Sequence, residues 1–368
     1  MNPPLVSVAM VTRNVERFLP EAIESILNQT LKDLEFVVVD FGSTDRTKSI
    51  ISDYQSKDLR IKFHETPSVS LPEARRTSGV LATGQYVAIM DADDIALPDR
   101  LACQLEFLEN HPEIGVLGGD VEWMDHSGKA LRIQNFPRTD SEIREALLSC
   151  PPFCNPTVMM RREILTATGG FRRPFDSAED YDLWLRAAER CEMANLPRIL
   201  LRYRRHPHQE TRRNVAITTL CHLAARAAAD WRQSGKPDPL DSVEEITVKV
   251  LSGLGVSDAT WQPKLATRYR SALLMAEELG EYSSGLELAH EMLSFSDWKS
   301  VEKWEMADVW FKCARLHRRQ GNFLKSGMAA CRAVCIRPVA MASPLKRLFR
   351  QTGKSSGPLE NARVRGAS

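Results

Sequence analysis

The 368-residue sequence lacks a charge imbalance and a long apolar run, and each absence excludes a class of protein. Lysine and arginine number 49 against 48 aspartate and glutamate, so the chain lacks the basic excess that general nucleic-acid binding requires. No stretch of about 18 apolar residues is present, which predicts that no helix spans a membrane. The apolar run Leu5–Val11 is short and has no basic leader, so no signal peptide is expected.

The eight cysteines are scattered, and none forms the Cys-x-x-Cys pair that is typical of a zinc knuckle. Cys150 and Cys154 are four residues apart, as are Cys331 and Cys335, and on a helix this spacing places both side chains on one face. Isolated cysteines in a chain of this length favour a reducing compartment, so we expect a cytoplasmic protein.

Strand-like and helix-like segments alternate through the first half of the chain. The β-rich runs Leu5–Val11, Leu34–Val39 and Tyr86–Met90 are each followed by a segment with helical spacing, of which Pro98–Asn110 is the clearest. This alternation predicts an α/β fold with a mostly parallel, doubly wound, Rossmann-like sheet. The pattern becomes irregular after residue 120, and we place the end of this domain, residues 1–210, where the chain turns helical.

The remainder of the chain is predicted to be helical. Ala276–Leu293 and Ala314–Val334 each contain a turn of glycine, polar and aromatic residues, at Gly280 and Gly321. The pattern resembles tetratricopeptide repeats with a longer period. We therefore expect an all-α domain over residues 211–345 that binds a protein partner, an acceptor or a second copy of the chain. A basic tail, residues 346–368, is expected to be disordered or to contact a membrane surface.

The strongest chemical pattern lies in Gln85–Asp99, where an apolar strand runs directly into acidic residues. Ligands collect beyond the carboxyl ends of strands in open α/β sheets, and carboxylates there suit a hard cation that holds a phosphorylated ligand. The acidic residues are Asp91, Asp93 and Asp94. In the alternative interpretation, Asp94 and Asp99 only cap the helix that follows.

Six motifs, in order, resemble those of the family-2 glycosyltransferases, and together they cover residues 4–210. They are Val6–Asn14 with Ser25–Thr30, Glu35–Asp45, Ala74–Gly84, Asp91–Gln104, Glu179–Trp184 and Tyr203–His206. The resemblance implies the GT-A fold, a nucleotide-sugar donor that is expected to be a UDP-sugar, and an inverting transfer. It also implies a divalent cation, Mn²⁺ or Mg²⁺.

The resemblance assigns donor contacts to the first half of the chain. Asp40 is expected to hydrogen-bond the base, Thr12 to lie against the base, and Arg75 to hold the nucleotide or its diphosphate. From the residues alone, Asp40 fits equally a cap for the turn that leads to Asp45, and Arg75 fits a solvated helix arginine. Phe41 differs from the family pattern, which often has a second acid there.

The resemblance places the cation at the end of the central strand. Asp91 is expected to face the ribose and the metal, and Asp93 to bind the metal directly. His206 is a further expected ligand, because a neutral imidazole suits ions such as Mn²⁺. The alternative for His206 is a surface histidine that precedes Pro207.

Asp180 is the expected catalytic base, and Glu179 is the second choice. In a single displacement, a carboxylate takes the proton of the acceptor hydroxyl while that hydroxyl attacks the anomeric carbon. Ser177–Asp180 also fits a helix N-cap with acids in the first turn. Such a position is expected to lower the pKa of Asp180.

These expectations describe an inverting, metal-dependent hexosyl- or N-acetylhexosaminyltransferase. It is expected to act on a glycan or lipid-linked acceptor in surface polysaccharide biosynthesis, with no nucleic-acid partner. It is expected in the cytoplasm, with peripheral contact at the inner face of the membrane as a further option. The competing hypothesis is a catalytically inactive scaffold that acts through its helical domain. A nucleotidyltransferase would need a glycine-rich phosphate loop near the N-terminus, and the sequence has none.

Overall fold

The computed structural model describes residues 3–206, 214–295, 298 and 300–336. The chain forms two compact units, one up to residue 257 and one from residue 258 onward. The first unit contains an extended sheet with helices packed on it, and the second contains helices. The predicted α/β fold followed by an all-α region is therefore confirmed.

Nine strands of the described chain form one mixed sheet. They are β1 Val6–Thr12, β2 Leu34–Asp40, β3 Ile61–Glu65, β4 Tyr86–Asp91, β5 Ile95–Ala96, β6 Ile114–Met124, β7 Ala130–Gln134, β8 Met159–Arg161 and β9 Glu192–Arg204. Their order in the sheet is β3-β2-β1-β4-β8-β6-β9-β5, and β7 pairs with β6. The strands β3, β2, β1 and β4 are parallel, β8 runs antiparallel to both of its neighbours, and β6 and β9 are parallel.

The register of the parallel strands places their carboxyl ends side by side. Every residue of β1 and β2 is buried, as expected for apolar strands that are covered on both faces. Thr12 is paired with Asp40 on one side of β1, and Val11 is paired with Asp91 on the other. The sheet therefore brings two residues that are expected to contact the sugar donor, and the first acid of the Asp91–Asp94 run, to one edge.

Nine α-helices of the first unit lie within the described residues, besides a short 3₁₀ helix at Asn155–Thr157. They are α1 Leu19–Leu27, α2 Thr47–Gln55, α3 Leu71–Leu81, α4 Arg100–Asn110, α5 Asp140–Ala146, α6 Arg162–Ala167, α7 Glu179–Ala187, α8 Val215–Gln233 and α9 Val248–Gly253. Helix α4 buries Leu101, Leu105 and Leu108 in the main core, as its periodicity predicts. Helix α3 begins at a capping box in which Ser70 and Glu73 each bond the other's backbone.

The second unit consists of helices α10 Asp258–Glu278, α11 Tyr282–Ser294, α12 Lys303–Arg319 and α13 Phe323–Ile336, and neighbours along the chain pack together. Gly280 and Gly321 occupy the turns after α10 and α12 with φ of +74° and +77°, a backbone region that glycine adopts without strain. The structure groups α8 and α9 with the first unit. The functional boundary at residue 210 stays a prediction, and the tail 346–368 lies outside the described residues.

The described ranges contain no helix with both the length and the apolar content that crossing a bilayer requires.

Candidate active site

The Asp40 carboxylate organises the loop at the end of β2. Its Oδ1 accepts hydrogen bonds from the backbone N–H groups of Gly42 at 3.2 Å and Ser43 at 2.9 Å. Its Oδ2 accepts from the Thr12 hydroxyl at 3.1 Å and from the Ser43 hydroxyl. With a residue exposure of 1%, Asp40 is oriented by this turn and by Thr12 at the end of β1. The structure brings together Thr12 and Asp40, which are both expected to contact the base, and the turn-capping interpretation of Asp40 also describes its contacts.

Arg75 joins the end of β4 to the beginning of α7. Its Nη2 donates to Oδ1 of Asp91 at 2.8 Å, and its Nε lies 2.9 Å from Oε1 of Glu179. The Arg75 side chain is 10% exposed, so it is not the solvated helix arginine of the alternative interpretation. Burial opposes its charge, but Asp91 and Glu179 outweigh that effect and raise the pKa of Arg75. One guanidinium therefore joins β4, the strand that leads into the metal motif Asp91–Asp94, to α7, the helix that carries the candidate bases and forms the acceptor side of the site.

The second acid of the metal motif contacts the predicted histidine. Oδ2 of Asp93 lies 2.8 Å from Nε2 of His206, and the His206 ring is tilted on Phe18 with centroids 5.1 Å apart. The structure therefore brings together Asp93 and His206, which are far apart in the sequence. His206 is not an isolated surface side chain, since its side chain is only 12% exposed.

Asp94 is structural rather than a helix cap. Its side chain is fully buried, and its Oδ1 accepts from the backbone N–H of Arg204 at 2.8 Å. Burial next to Asp93 and Asp91 raises its pKa well above the usual value. The Arg204 guanidinium adds a bond to the backbone oxygen of Asp93 at 2.8 Å and an ion pair with Glu21. The strand end β9 is thereby fixed against the turn that carries the metal motif.

Among the residues that the structure describes, no group of three or more His, Cys, Asp or Glu side chains is arranged to enclose a metal ion. Asp91 is directed to Arg75, which leaves Asp93 and His206 as the adjacent donor pair. A carboxylate and an imidazole suit Mn²⁺, and divalent ions at phosphate sites commonly take only one or two protein ligands besides the phosphates. The pair therefore fits a cation whose remaining ligands come from a phosphorylated ligand and water.

The two candidate bases begin helix α7. Ala178 occupies the N-cap position and Ser177 precedes it with φ of +60°, so the predicted serine cap is not formed. Glu179 is 4% exposed, and its second carboxylate oxygen has no hydrogen-bond partner in the described chain. Burial raises the pKa of Glu179 to about 7, although Arg75 lowers it. A buried, half-satisfied carboxylate thus lies beside Asp180.

The expected lowering of the Asp180 pKa is wrong. Burial raises this pKa above its usual value, and the nearby Asp91 charge adds to the increase. The backbone N–H of Tyr181, which donates to Oδ1 of Asp180 at 2.7 Å, and the Arg75 charge only partly offset it. The helix N-terminus is therefore the weaker influence, and Asp180 binds a proton more readily than an exposed aspartate.

Arg100 belongs to the Asp91–Gln104 motif, but its buried structural role is not evident from the sequence pattern. It is fully buried beneath β4, donates to the backbone oxygen of Ile89 at 2.8 Å, and bonds Gln104 at 3.1 Å. Burial lowers its pKa to about 10. It stands at the first position of α4, where periodicity places charged residues in solvent. The one signal in the sequence for this buried contact is a glutamine, Gln104, one helical turn after the arginine.

Comparison with known proteins agrees with this geometry. The family model described as glycosyl transferase family 2 matches residues 7–169. An uncharacterized glycosyltransferase of Methanocaldococcus jannaschii, MJ1057, is 36% identical over 209 residues, which cover 55% of this chain and 72% of the relative. The chain belongs to the family-2 glycosyltransferases. The O-antigen biosynthesis glycosyltransferase WbnJ of Escherichia coli is 28% identical over 55% of this chain and 80% of its own length.

Solved structures support the fold. The S. aureus TarS 1-349 structure in complex with UDP-GlcNAc matches with a TM-score of 0.52 and 18% identity, over 88% of this chain and 90% of that chain. The mannosyltransferase PcManGT of Pyrobaculum calidifontis in complex with GDP-Man and Mn²⁺ matches with a TM-score of 0.50 and 20% identity, over 90% and 88%. The predicted GT-A fold of this family-2 glycosyltransferase is thereby confirmed.

Proposed function

We propose that this glycosyltransferase is a metal-dependent, inverting enzyme that transfers a sugar from a UDP-sugar to a glycan or lipid-linked acceptor. One observation carries the proposal: Arg75 joins Asp91, at the end of the metal-motif strand, to Glu179, the neighbour of Asp180 on α7. Donor-side and acceptor-side carboxylates therefore face one site. Such a site can hold a charged leaving group and deprotonate a nucleophile.

The donor nucleotide is proposed to bind at the ends of β1 and β2. Asp40 fixes the turn through Gly42 and Ser43 and orients the Thr12 hydroxyl, so these residues present a preformed rim for the base and the ribose. Phe41 is buried in a small apolar cluster with Val39 and therefore supports this loop from beneath. Arg75 acts on the donor through Asp91, because its guanidinium is already engaged by two carboxylates.

Asp93 and His206 are the proposed protein ligands of the divalent cation, with Asp91 beside them toward the ribose. When bound, the cation would neutralise the charge that develops on the departing diphosphate. The residues of this chain contribute the orientation: Arg204 holds the Asp93 backbone oxygen, and Asp94 holds the Arg204 backbone N–H. The turn that carries Asp93 and the end of β9 that leads to His206 are thus fixed to each other.

The proposed transfer is a single displacement. The acceptor hydroxyl oxygen forms a bond to the anomeric carbon, the bond from that carbon to the diphosphate oxygen breaks, and its electron pair leaves with the nucleoside diphosphate. Asp180 takes the hydroxyl proton. Its raised pKa makes it a stronger base than an exposed aspartate, which favours this step. Glu179 holds Arg75 and is the second candidate for the same role.

The names of related proteins support the biological setting. WbnJ is described as acting in O-antigen biosynthesis, TarS was solved with UDP-GlcNAc, and PcManGT was solved with GDP-Man and Mn²⁺. We therefore propose surface polysaccharide assembly, on the cytoplasmic side, with Mn²⁺ or Mg²⁺ as the cofactor. The helical region 211–345 is proposed to bind a partner or a second copy of the chain.

The test is a panel of UDP- and GDP-sugars incubated with the full chain and Mn²⁺, with nucleotide release as the measurement. We expect release from at least one UDP-sugar, its loss on chelation, and its acceleration by a cognate acceptor. If no donor is consumed and nucleotides bind equally well with and without Mn²⁺, the enzyme proposal fails and the inactive scaffold replaces it.

A further inference from the structure

Buried charges tie helix α7 to the end of α8 and the turn that follows it. Three arginines and three carboxylates alternate in sign around the cluster, so that their charges balance. We call this cluster the α7 clamp; in order of contact, its members are Arg186, Asp182, Arg172, Asp238, Arg232 and Glu189. Asp182 and Arg186 lie on α7, and Glu189 lies just beyond it. The series of ion pairs therefore begins near the first turn of α7 and ends just after its last turn.

Asp182 is the anchor of the clamp on α7. It is fully buried, and its two oxygens accept from Arg172 at 2.5 and 3.0 Å and from Arg186 at 2.6 and 3.1 Å. Burial alone would raise the pKa of Asp182, but Arg186 and Arg172 together lower it, so the carboxylate stays charged. Because Asp182 is two residues from Asp180, the clamp contacts the same turn of α7 that carries the proposed base.

Asp238 anchors the other end. Its Oδ2 accepts from Arg172 at 2.9 Å and from Arg232 at 2.6 Å, while its Oδ1 accepts from the backbone N–H of Leu240 at 2.8 Å. Arg232 also pairs with Glu189 at 2.8 Å. The Asp238 side chain is only 8% exposed. This carboxylate thus connects the turn after α8 to the first turn of α7 through a single arginine.

Apolar and aromatic contacts reinforce the same junction. Helix α7 packs against α8, and the Tyr181 and His222 rings are 4.6 Å apart. The Tyr181 hydroxyl also joins α7 to the end of α5, since it donates to the backbone oxygen of Leu147 at 2.5 Å. Residues 215–241 lie beyond the stretch 7–169 that matches the family model, yet they help to hold the helix with the proposed base.

We propose that Arg172 and Asp238 are positioning residues that keep the first turn of α7 in its catalytic orientation. The inference rests on the proposed role of Asp180 as the base. Removing one partner of a buried ion pair leaves the other charge uncompensated, so the clamp would rearrange rather than relax in place. A displacement of about 1 Å at a reacting group can lower a rate about 100-fold.

The experiment compares Asp238→Asn and Arg172→Met with wild type, and uses Asp241→Asn as the matched control. Asp241 lies in the same turn, 3.6 Å from Arg172, but its side chain is 76% exposed. We expect the amides of residues 179–183 to exchange hydrogen about tenfold faster in the first two variants and at the wild-type rate in the control. UDP affinity is expected to stay within about twofold of wild type in all of them.

Kinetics separate positioning from general stability. On whichever donor the wild type consumes, Asp238→Asn should lower kcat about tenfold without changing the donor KM, and Arg172→Lys should recover part of the loss that Arg172→Met causes. Unchanged exchange at 179–183, or faster exchange spread evenly over the first unit, would overturn the proposal. If wild type consumes no donor, the proposed function fails, while the exchange data still decide whether the clamp holds α7.

Discussion

The donor side and the acceptor side of the site are built in different ways. On the donor side, the ends of β1, β2 and β4 meet by sheet register, and bonds between adjacent strands or across two or three residues orient Asp40. On the acceptor side, α7 is oriented by buried ion pairs that extend to residues far along the chain, namely Arg75 and, through Arg172, Asp238. The strands of the first arrangement can be recognised from local sequence patterns, whereas the ion pairs of the second can be recognised only in the folded chain.

This difference has energetic consequences. A hydrogen bond lost in the donor-side turn costs about 1.5 kcal/mol, because the charged Asp40 carboxylate that accepts it keeps its other donors. A broken buried ion pair costs about 3–5 kcal/mol, because the remaining charge stays in a poorly solvated place. Substitutions on the acceptor side should therefore have the larger effects.

The largest expected effect is on transfer. Asp180→Asn should lower kcat by about 10²- to 10⁴-fold, because the amide cannot take the hydroxyl proton. Nucleotide release in the presence of acceptor measures this loss, and Glu179→Gln is the comparison. If transfer survives in Asp180→Asn and disappears in Glu179→Gln, the roles of the two carboxylates are reversed.

Arg75→Met should cause the largest loss of stability, because it leaves Asp91 and Glu179 without their shared cation. We expect the free energy of unfolding to fall by about 3 kcal/mol, as measured by urea denaturation. Arg76→Met is the control, since Arg76 is the exposed neighbour on the same helix. Equal small effects from both substitutions would contradict the bridging role of Arg75.

The pH dependence of stability gives a smaller effect of known sign. Burial raises the pKa of Glu179 to about 7 in the folded protein from 4.5, so the folded state keeps a proton that the unfolded chain releases. Its contribution to stability is therefore present below about pH 4.5 and is lost as the pH rises through about 7. Between pH 5 and 7.5, Tm should fall by about 5 °C more in wild type than in Glu179→Gln. Parallel curves for the two proteins would show that Glu179 stays ionised.

The smallest effect is expected from the donor-side turn. Ser43→Ala removes the hydroxyl that donates to Asp40 and accepts from the Asn14 backbone N–H at 2.9 Å. The free energy of unfolding should fall by about 1.5 kcal/mol, and by less in the exposed control Ser49→Ala. A loss as large as that of Arg75→Met would remove the contrast between the two sides.

The sequence predicted the parallel strands and the edge where their acids collect, because an apolar run followed by polar residues is a local pattern. It also predicted that Asp93 and His206 belong to one site, but through family resemblance rather than spacing. The raised pKa of Asp180 could not be predicted, since burial depends on everything packed around α7. The ion pairs of Arg75 and Asp238 could not be predicted either. The two partners of Arg75 come from separate elements, and Asp238 follows α8.

The account assigns donor binding to one side of the site and proton transfer to the other. The most direct test is calorimetric titration of the UDP-sugar that wild type consumes, with and without Mn²⁺. Three proteins are compared: wild type, Asp93→Asn and Asp180→Asn. The account predicts that Asp180→Asn binds the donor with wild-type affinity and Mn²⁺ dependence, while Asp93→Asn loses the Mn²⁺-dependent part. Loss of Mn²⁺-dependent binding in Asp180→Asn, or its retention in Asp93→Asn, would contradict it.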